Sequence, residues 1–360
     1  AKIMNKTVDI NINYNPHIRV KDTVTKVMFD VVLALIPAMI AAYLVYGITP
    51  MLVILTSVLS AIASEWIFSA IFFKNYNSIK DTSAIVTGIL LALTLAPFTP
   101  LYVVAFGASM GVIFGKLMYS GLGKNMFNPA LVGREFMTVF FPAVMSSSSI
   151  WFNQNLLKIQ EIKIFSNSLD DIILKNSGAI GEYSVVLLIL GGVYLLIKDR
   201  ISWHVPAALF GTVFLGLYIM IFFGGNYSLS LGGLMLGGIY MATDMPTSPS
   251  TQKGKIYYGI MMGISVIICW MNGINFEMLS YSILILNAFA SVISEVFSPK
   301  VFGINTDKKD KINKIIFLTL GIICVAVIVA QIHRLGLISY LVYAYIIYTT
   351  ARLIMSKSIK

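Results

Sequence analysis

Polar and apolar residues fall into blocks along this chain, not into the alternating faces of soluble helices or strands. Apolar runs at 27–46, 51–73, 101–119, 205–223, 256–271 and 278–297 approach or exceed the roughly 20 residues that cross a hydrocarbon core of about 30 Å. Shorter runs stand at 83–96, from 129 to about 145, at 183–197 and at 229–242, and a last pair follows at 315–332 and 335–354. The pattern predicts an all-α polytopic membrane protein. Its organisation reads as an N-terminal segment (1–25), a first membrane repeat (26–145), a polar loop (146–182), a second membrane repeat (183–298), a basic connector (299–314) and an additional C-terminal helix pair (315–360).

Two short runs end alike. Gly88-Ile-Leu-Leu-Ala92 leads into Thr94, Pro97, Thr99 and Pro100, and Gly238-Ile-Tyr-Met-Ala242 leads into Thr243, Asp244, Pro246, Thr247, Ser248 and Pro249. Proline removes a donor and forbids continued helix. Free backbone groups survive at membrane depth only when buried in protein or lining a cavity. Each turn is therefore either an ordinary loop outside the bilayer or a broken helix that presents backbone and hydroxyls to a ligand. Asn128-Pro-Ala-Leu-Val-Gly-Arg-Glu-Phe136 has a looser echo in Asn287-Ala-Phe-Ala-Ser-Val-Ile-Ser-Glu-Val-Phe297. If both echoes mark a duplication, each half has five spans, and an odd number makes the halves inverted. Paired interrupted segments of this kind point to a binding site between the repeats.

Composition agrees with the block pattern: 58% of residues are hydrophobic and only 12% charged. The net charge of +10 is not a nucleic-acid footprint, because its lysines and arginines sit in short connections between apolar runs. With the N-terminus cytoplasmic, Lys74/Lys80, Lys116/Lys124, Lys198/Arg200, Lys253/Lys255, 300–314 and Lys357/Lys360 all fall on the cytoplasmic side, the positive-inside arrangement. Both termini are then cytoplasmic and 146–182 is extracytoplasmic, with its Lys158, Lys163 and Lys175 and the later Arg334 as exceptions. Cys269 and Cys324 lie inside apolar runs, and the three histidines show no ligand spacing, so neither a disulfide framework nor a metal site is expected.

Carboxylates inside apolar runs are costly and mark candidate ion paths. Glu65 interrupts an otherwise apolar span; Asp30 and Glu135 lie nearer span ends, where pairing with a lysine or with Arg134 is the alternative. The hydroxyls of Thr243, Thr247 and Ser248 at a helix end can hold a phosphate or a polyhydroxyl chain. Asn128 suits a helix N-cap.

Four motifs in order, Gly123-Lys-Asn-Met-Phe-Asn-Pro-Ala-Leu131, Gly178-Ala-Ile-Gly-Glu-Tyr-Ser184, Ile201-Ser-Trp-His-Val-Pro206 and Ala242-Thr-Asp-Met-Pro-Thr-Ser-Pro-Ser-Thr251, resemble the NqrB/RnfD family over about residues 10–305. Asn15-Pro-His-Ile-Arg19 and the compact length fit its RnfD branch better. The resemblance implies a ten-helix inverted repeat similar to urea transporters, in a bacterial cytoplasmic (inner) membrane. It further implies a flavin-carrying subunit of an Rnf-type complex that couples electron transfer between ferredoxin and NAD to movement of Na⁺ or H⁺. RnfG, RnfA, RnfE and RnfC would be its partner subunits and lipid its surroundings, with no complete active site in this chain alone. FMN, or riboflavin, would be held near Thr94, Thr99, Asn128, Thr243, Asp244, Thr247 and Ser248. In this family an FMN is esterified to a threonine of a Ser-x-Ala-Thr motif, but no threonine occurs here between Thr138 and Thr212. Ser177-Gly-Ala-Ile180 imitates the motif, but Ile180 has no hydroxyl to esterify; Ser166 and Ser168 fall roughly where the acceptor would be, without the surrounding pattern, and the attachment residue is not identified. The alternatives are a passive channel or secondary transporter on the same fold, and a scaffold subunit that has lost its covalent flavin.

Overall fold

A computed structural model of the chain describes residues 22–74, 76, 78–147, 150–151, 178–223, 231–274, 276–299 and 308–358. Among these residues every regular element is helical. Helix α1 (Val24–Tyr46) starts where the Thr23 hydroxyl accepts from the Lys26 amide, and it stops at Gly47, whose positive φ of 71° reverses the chain. Helix α2 (Thr49–Phe73) carries Pro50 in its first turn, where a missing amide costs nothing. Helix α3 (Ser83–Leu93) is short and buried almost throughout. It is followed by α4 (Leu101–Gly115), α5 (Pro129–Phe140) and a single turn, α6 (Pro142–Met145).

The second half also has a short helix in third place, but its first helix is short and its fifth is long, unlike the first half. Helices α7 (Val185–Ile197) and α8 (His204–Phe222) precede the short α9 (Leu231–Leu236), which runs on as a π-helical turn, Gly237–Met241. Then come α10 (Gln252–Met271) and α11 (Met278–Phe297). Within each half the long helices pack in the same sequence, α2 on α4 and α4 on α5, then α8 on α10 and α10 on α11. Helices α12 (Lys308–Arg334) and α13 (Ile338–Ser358) form the expected final pair, although α12 already starts inside the basic stretch expected to be a connector. By length and composition, eight helices among the described residues can cross a membrane, and Ser83–Leu93, Val185–Ile197 and Leu231–Met241 are shorter apolar helices. Short helices make sense only where the rest of the crossing is irregular backbone shielded by protein.

One expectation changes. The end of the stretch expected to be an outer loop is not on the surface: Ala179 and Ile180 are fully buried, and the Ile180 amide donates to the Leu95 carbonyl at 2.9 Å. A Cβ on Gly181 would lie 2.8 Å from Leu93 Cβ and 3.1 Å from Leu236 Cδ2, so this turn is wedged between the two short helices. An apolar Gly-Ala-Ile-Gly run can be buried because its amides find partners there.

The halves are also tied by charge. Arg200, nearly buried, donates through Nε to Asp30 Oδ2 and through Nη1 to Asp22 Oδ2, each at 2.6 Å, and Tyr194 donates to Asp30 Oδ1 at 3.2 Å. Asp30 is thus paired with an arginine from the α7–α8 turn. Asp22 lies before α1, and its bonds from Arg200 and then Lys26 hold its carboxyl well below the usual carboxylate range. A depressed folded pKa gives a contribution that is complete above the unfolded value of about 3.9 and is lost as pH falls through the folded one. Acidifying from neutrality to about pH 5 will therefore leave this anchor intact, whereas Asp22→Asn will loosen it at both pH values. Limited proteolysis around residue 22 reads the difference.

Candidate functional site

The two broken helices present different surfaces. In the first turn the Thr94 hydroxyl donates to the Leu91 carbonyl at 2.7 Å and that of Thr99 to the Ala96 carbonyl at 2.8 Å, both buried. These hydroxyls close their own turn. The Thr94 carbonyl, at the negative end of α3, takes a bond from Arg134 Nη1 on α5, a favourable place for a cation. The pairing of Arg134 with Glu135 that the sequence offered is therefore not what positions the guanidinium.

In the second turn the Thr243 hydroxyl returns to the Ile239 carbonyl at 2.5 Å, and that of Thr247 donates to Asp244 Oδ2 at 3.1 Å. Two asparagines hold this turn, one from each half. Asn128 caps α5 by accepting from the Ala130 amide at 3.0 Å, and its Nδ2 reaches the Met241 carbonyl at 3.5 Å. With the Asn287 amide turned to suit its surroundings, its oxygen accepts from the Asn128 amide at 3.1 Å and its NH₂ donates to the Thr247 carbonyl at 3.2 Å and to Tyr258 Oη at 2.7 Å. The echo between Asn128 and Asn287 in the sequence thus corresponds to a meeting in space, in the interior beside the π-helical turn. π-helical turns leave carbonyls out of the regular ladder and recur at functional sites.

Two cavities flank the turn. The larger, about 640 Å³, has Thr243 and Ser248 on one wall and Trp203, His204, Arg200 and Lys255 around it. That volume suits a small organic ligand. The Trp203 indole and the His204 imidazole stack with centroids 4.3 Å apart, and His204 Nδ1 is buried with no hydrogen-bond partner among the described residues. The smaller, about 40 Å³, lies on the other side among Ser83, Thr87, Lys116, Asn125, Asn128 and Asp244. It holds no more than a water or two.

The three intramembrane carboxylates meet different fates. Glu65 is fully buried and is held by Lys116, itself 2% exposed, with Nζ at 2.8 and 2.9 Å from its two oxygens. Ser78 donates to Glu65 Oε1 at 2.5 Å, and Lys116 also donates to Asp81 Oδ2 at 3.2 Å and to the Ser83 hydroxyl. Asp30 is satisfied by Arg200, as above. Glu135 is different: it is 6% exposed, and neither carboxyl oxygen has a hydrogen-bond partner among the described residues. The Thr138 hydroxyl nearby is spent on the Glu135 carbonyl at 2.9 Å.

Sequence reasoning singles out the carboxylates and misses their partners. Lys116 stands 51 positions from Glu65 and Arg200 170 from Asp30. The loop-charge pattern presents both only as orientation charges. A cation at the edge of an apolar run is the available signal, but it does not name its partner. Ser166 and Ser168 lie outside the described residues.

The site can now be set beside known proteins. A family profile described as the NQR2, RnfD, RnfE family matches residues 11–303. The chain is 33% identical to the D subunit of the proton-translocating ferredoxin:NAD(+) oxidoreductase complex of Clostridium ljungdahlii, covering 81% of this chain and 96% of that one. It is 32% identical to the Na(+)-translocating counterpart from Acetobacterium woodii, over 84% and 98%. It is 31% identical to the D subunit of the ion-translocating oxidoreductase complex of Methanosarcina acetivorans, over 80% and 95%. Helices α12 and α13 lie beyond the matched residues. The fold of long and broken helices and the matched length agree: the chain belongs to the NQR2, RnfD, RnfE family.

Proposed function

We propose that this chain is the RnfD-type membrane subunit of an ion-translocating ferredoxin:NAD(+) oxidoreductase complex, and that it holds a flavin noncovalently in the cavity beside Thr243–Pro249. The relatives' shared role carries the first part. The second rests on one observation: a cavity of flavin size whose wall combines the hydroxyl-bearing turn with a stacked Trp203–His204 pair and Lys255. Trp203 offers a face for the isoalloxazine ring, Thr243 and Ser248 line the wall beside the ribityl chain, and Lys255 gives a phosphate its counter-charge, which favours FMN over riboflavin. Bound flavin supplies one- and two-electron chemistry; the chain's own groups bind it, orient it and keep it at a fixed depth.

Covalent attachment does not fit at residue 180. Ile180 has no hydroxyl, and its side chain is fully buried between the short helices. We place the termini and the 243–249 turn on the cytoplasmic side, as the loop charges favour, with RnfG, RnfA, RnfE and RnfC as neighbours. The meeting of Asn128 with Asn287 supports the inverted-repeat reading. Asp30 and Glu65 are tied to Arg200 and Lys116, so the ion-path role is proposed for Glu135.

The test is flavin stoichiometry in the intact complex. Lys255→Gln removes a charged bond of about 1.5–3 kcal/mol, so FMN retention on this chain should fall at least about tenfold. Trp203→Ala should do the same for FMN and riboflavin alike. Wild-type stoichiometry in both variants, or no flavin assignable to this chain by mass and in-gel fluorescence, overturns the reading.

A further inference from the structure

Helices α12 and α13 lie beyond the residues matched by the family profile, yet each is bound to a different half of the body. Along α12 a buried stripe of Leu318, Ile322, Ala326 and Ala330, spaced four residues apart, packs into the main core against α10 and α11. Polar contacts fix it there. The Thr319 hydroxyl donates to the Ile315 carbonyl, so the Tyr257 hydroxyl of α10 donates to Thr319 Oγ1 at 2.8 Å. Gln331 Nε2 donates to Asn272 Oδ1, just past α10, at 2.9 Å, and His333 Nδ1 lies 2.9 Å from the Tyr281 hydroxyl of α11. All of these partners belong to the second half. On α13 the partners belong to the first half. Val342 is buried against Val132 and Phe136 of α5. The Tyr345 hydroxyl donates at 2.9 Å to the Phe114 carbonyl, in the last turn of α4, where a carbonyl finds no partner in its own helix and none in lipid. The Arg352 guanidinium lies 4.8 Å from the centre of the Tyr119 ring.

The two helices pack on the body more than on each other, and a short turn through Gly336, at a positive φ of 72°, joins them. Leu284 of α11 and Ile338 at the start of α13 pack against both the main core and the small cluster of Val132, Phe136 and Val342, so α5, α11 and α13 meet there. We propose that the α12–α13 pair is a strap across the seam between the two halves, anchored to the second through α12 and to the first through α13, and that it limits how far α5 can part from α11. The same two helices carry the Asn128–Asn287 contact, so the strap also guards the register of the Thr243–Pro249 turn. Lipid gives the halves no hydrophobic incentive to stay together. A short covalent link makes the rebinding of either anchor intramolecular, so the halves separate only when one whole anchor lets go. The strap depends on neither the flavin cavity nor the ion-path role of Glu135.

The test is amide hydrogen exchange of the intact complex, with a protease site inserted between Gly336 and Leu337 and exchange read before and after cutting. Because the cut is made in the assembled complex, a failure to fold cannot mimic the result. Cutting should raise exchange in 129–140 and 278–297 at least about tenfold, as loss of an intramolecular link does, and leave 185–197 unchanged. Two variants of the uncut chain release one anchor each: Val342→Ala with Tyr345→Phe frees α13, and Tyr257→Phe with Gln331→Ala frees α12. Each should raise exchange in both 129–140 and 278–297, because a strap released at one end restrains neither half. A rise confined to the altered half in both variants would make α12 and α13 separate local supports and overturn the strap. So would equal exchange before and after the cut.

Discussion

Lys116→Met will destabilise the chain by roughly 3–5 kcal/mol, the usual cost of stranding one member of a buried ion pair. The pair is enclosed: Lys116 and Glu65 are 2% and 0% exposed, and the ammonium sits among Glu65, Asp81 and Ser83. The pair ties α2 to the end of α4, and Asp81 and Ser83 tie both to the start of α3. Removing the cation leaves the Glu65 carboxylate with only the Ser78 hydroxyl. The thermal midpoint of the solubilised complex should drop sharply and the chain should accumulate poorly in membranes. The double variant Glu65→Gln/Lys116→Met should recover most of the loss, since two neutral groups of similar volume need no counter-charge. A single variant that melts with wild type would remove the pair from the account of stability.

The second large effect concerns backbone contact. A Cβ at Gly133 would stand 2.5 Å from the Gly107 carbonyl oxygen, and one at Gly111 2.5 Å from the Pro129 carbonyl oxygen. Both neighbours are backbone of the α4–α5 pair and cannot rotate away. Such close approach of small residues drives helix association where lipid removes the hydrophobic incentive. Gly133→Ala or Gly111→Ala should therefore cost about 1–3 kcal/mol by forcing the helices apart. The shift would carry Asn128 with it and loosen the Thr243–Pro249 turn. Gly211→Ala on α8 is the control: nothing lies within 4 Å of its added methyl. It should be neutral or stabilising by up to about 1 kcal/mol. Equal melting of Gly133→Ala and Gly211→Ala would contradict this packing argument.

The helices were readable from the pattern, but of their caps only that at Asn128 was; the starts at Val24, Gln252 and Lys308 lie upstream of the apolar runs at 27, 256 and 315. Thr23, Asn128, Ser184 and Thr251 cap helices as their side chains allow. The two Thr/Pro turns were legible as breaks, and in the structure α3 and the α9 run both stop there. The π-helical turn was not legible, because no residue type demands it. The candidate site was half legible. Thr243 and Ser248 line the larger cavity, whereas the Thr94 and Thr99 hydroxyls close their own turn. Trp203 and His204 stood in a motif but carried no expectation of stacking beside that turn.

Sequence by itself determined what each segment must do in a membrane: run lengths, breaks and loop charges follow from hydrocarbon thickness and from proline and hydroxyl chemistry, which act over a few residues. Tertiary structure alone decided which buried charge meets which. Lys116 neutralises Glu65, Arg200 neutralises Asp30, Ile180 fills the wedge between the short helices, and Glu135 is left buried with no hydrogen-bond partner among the described residues. In a low-dielectric interior a charge is tolerated only where a specific partner arrives from elsewhere in the chain. That arrival is a property of helix packing, not of neighbouring residues.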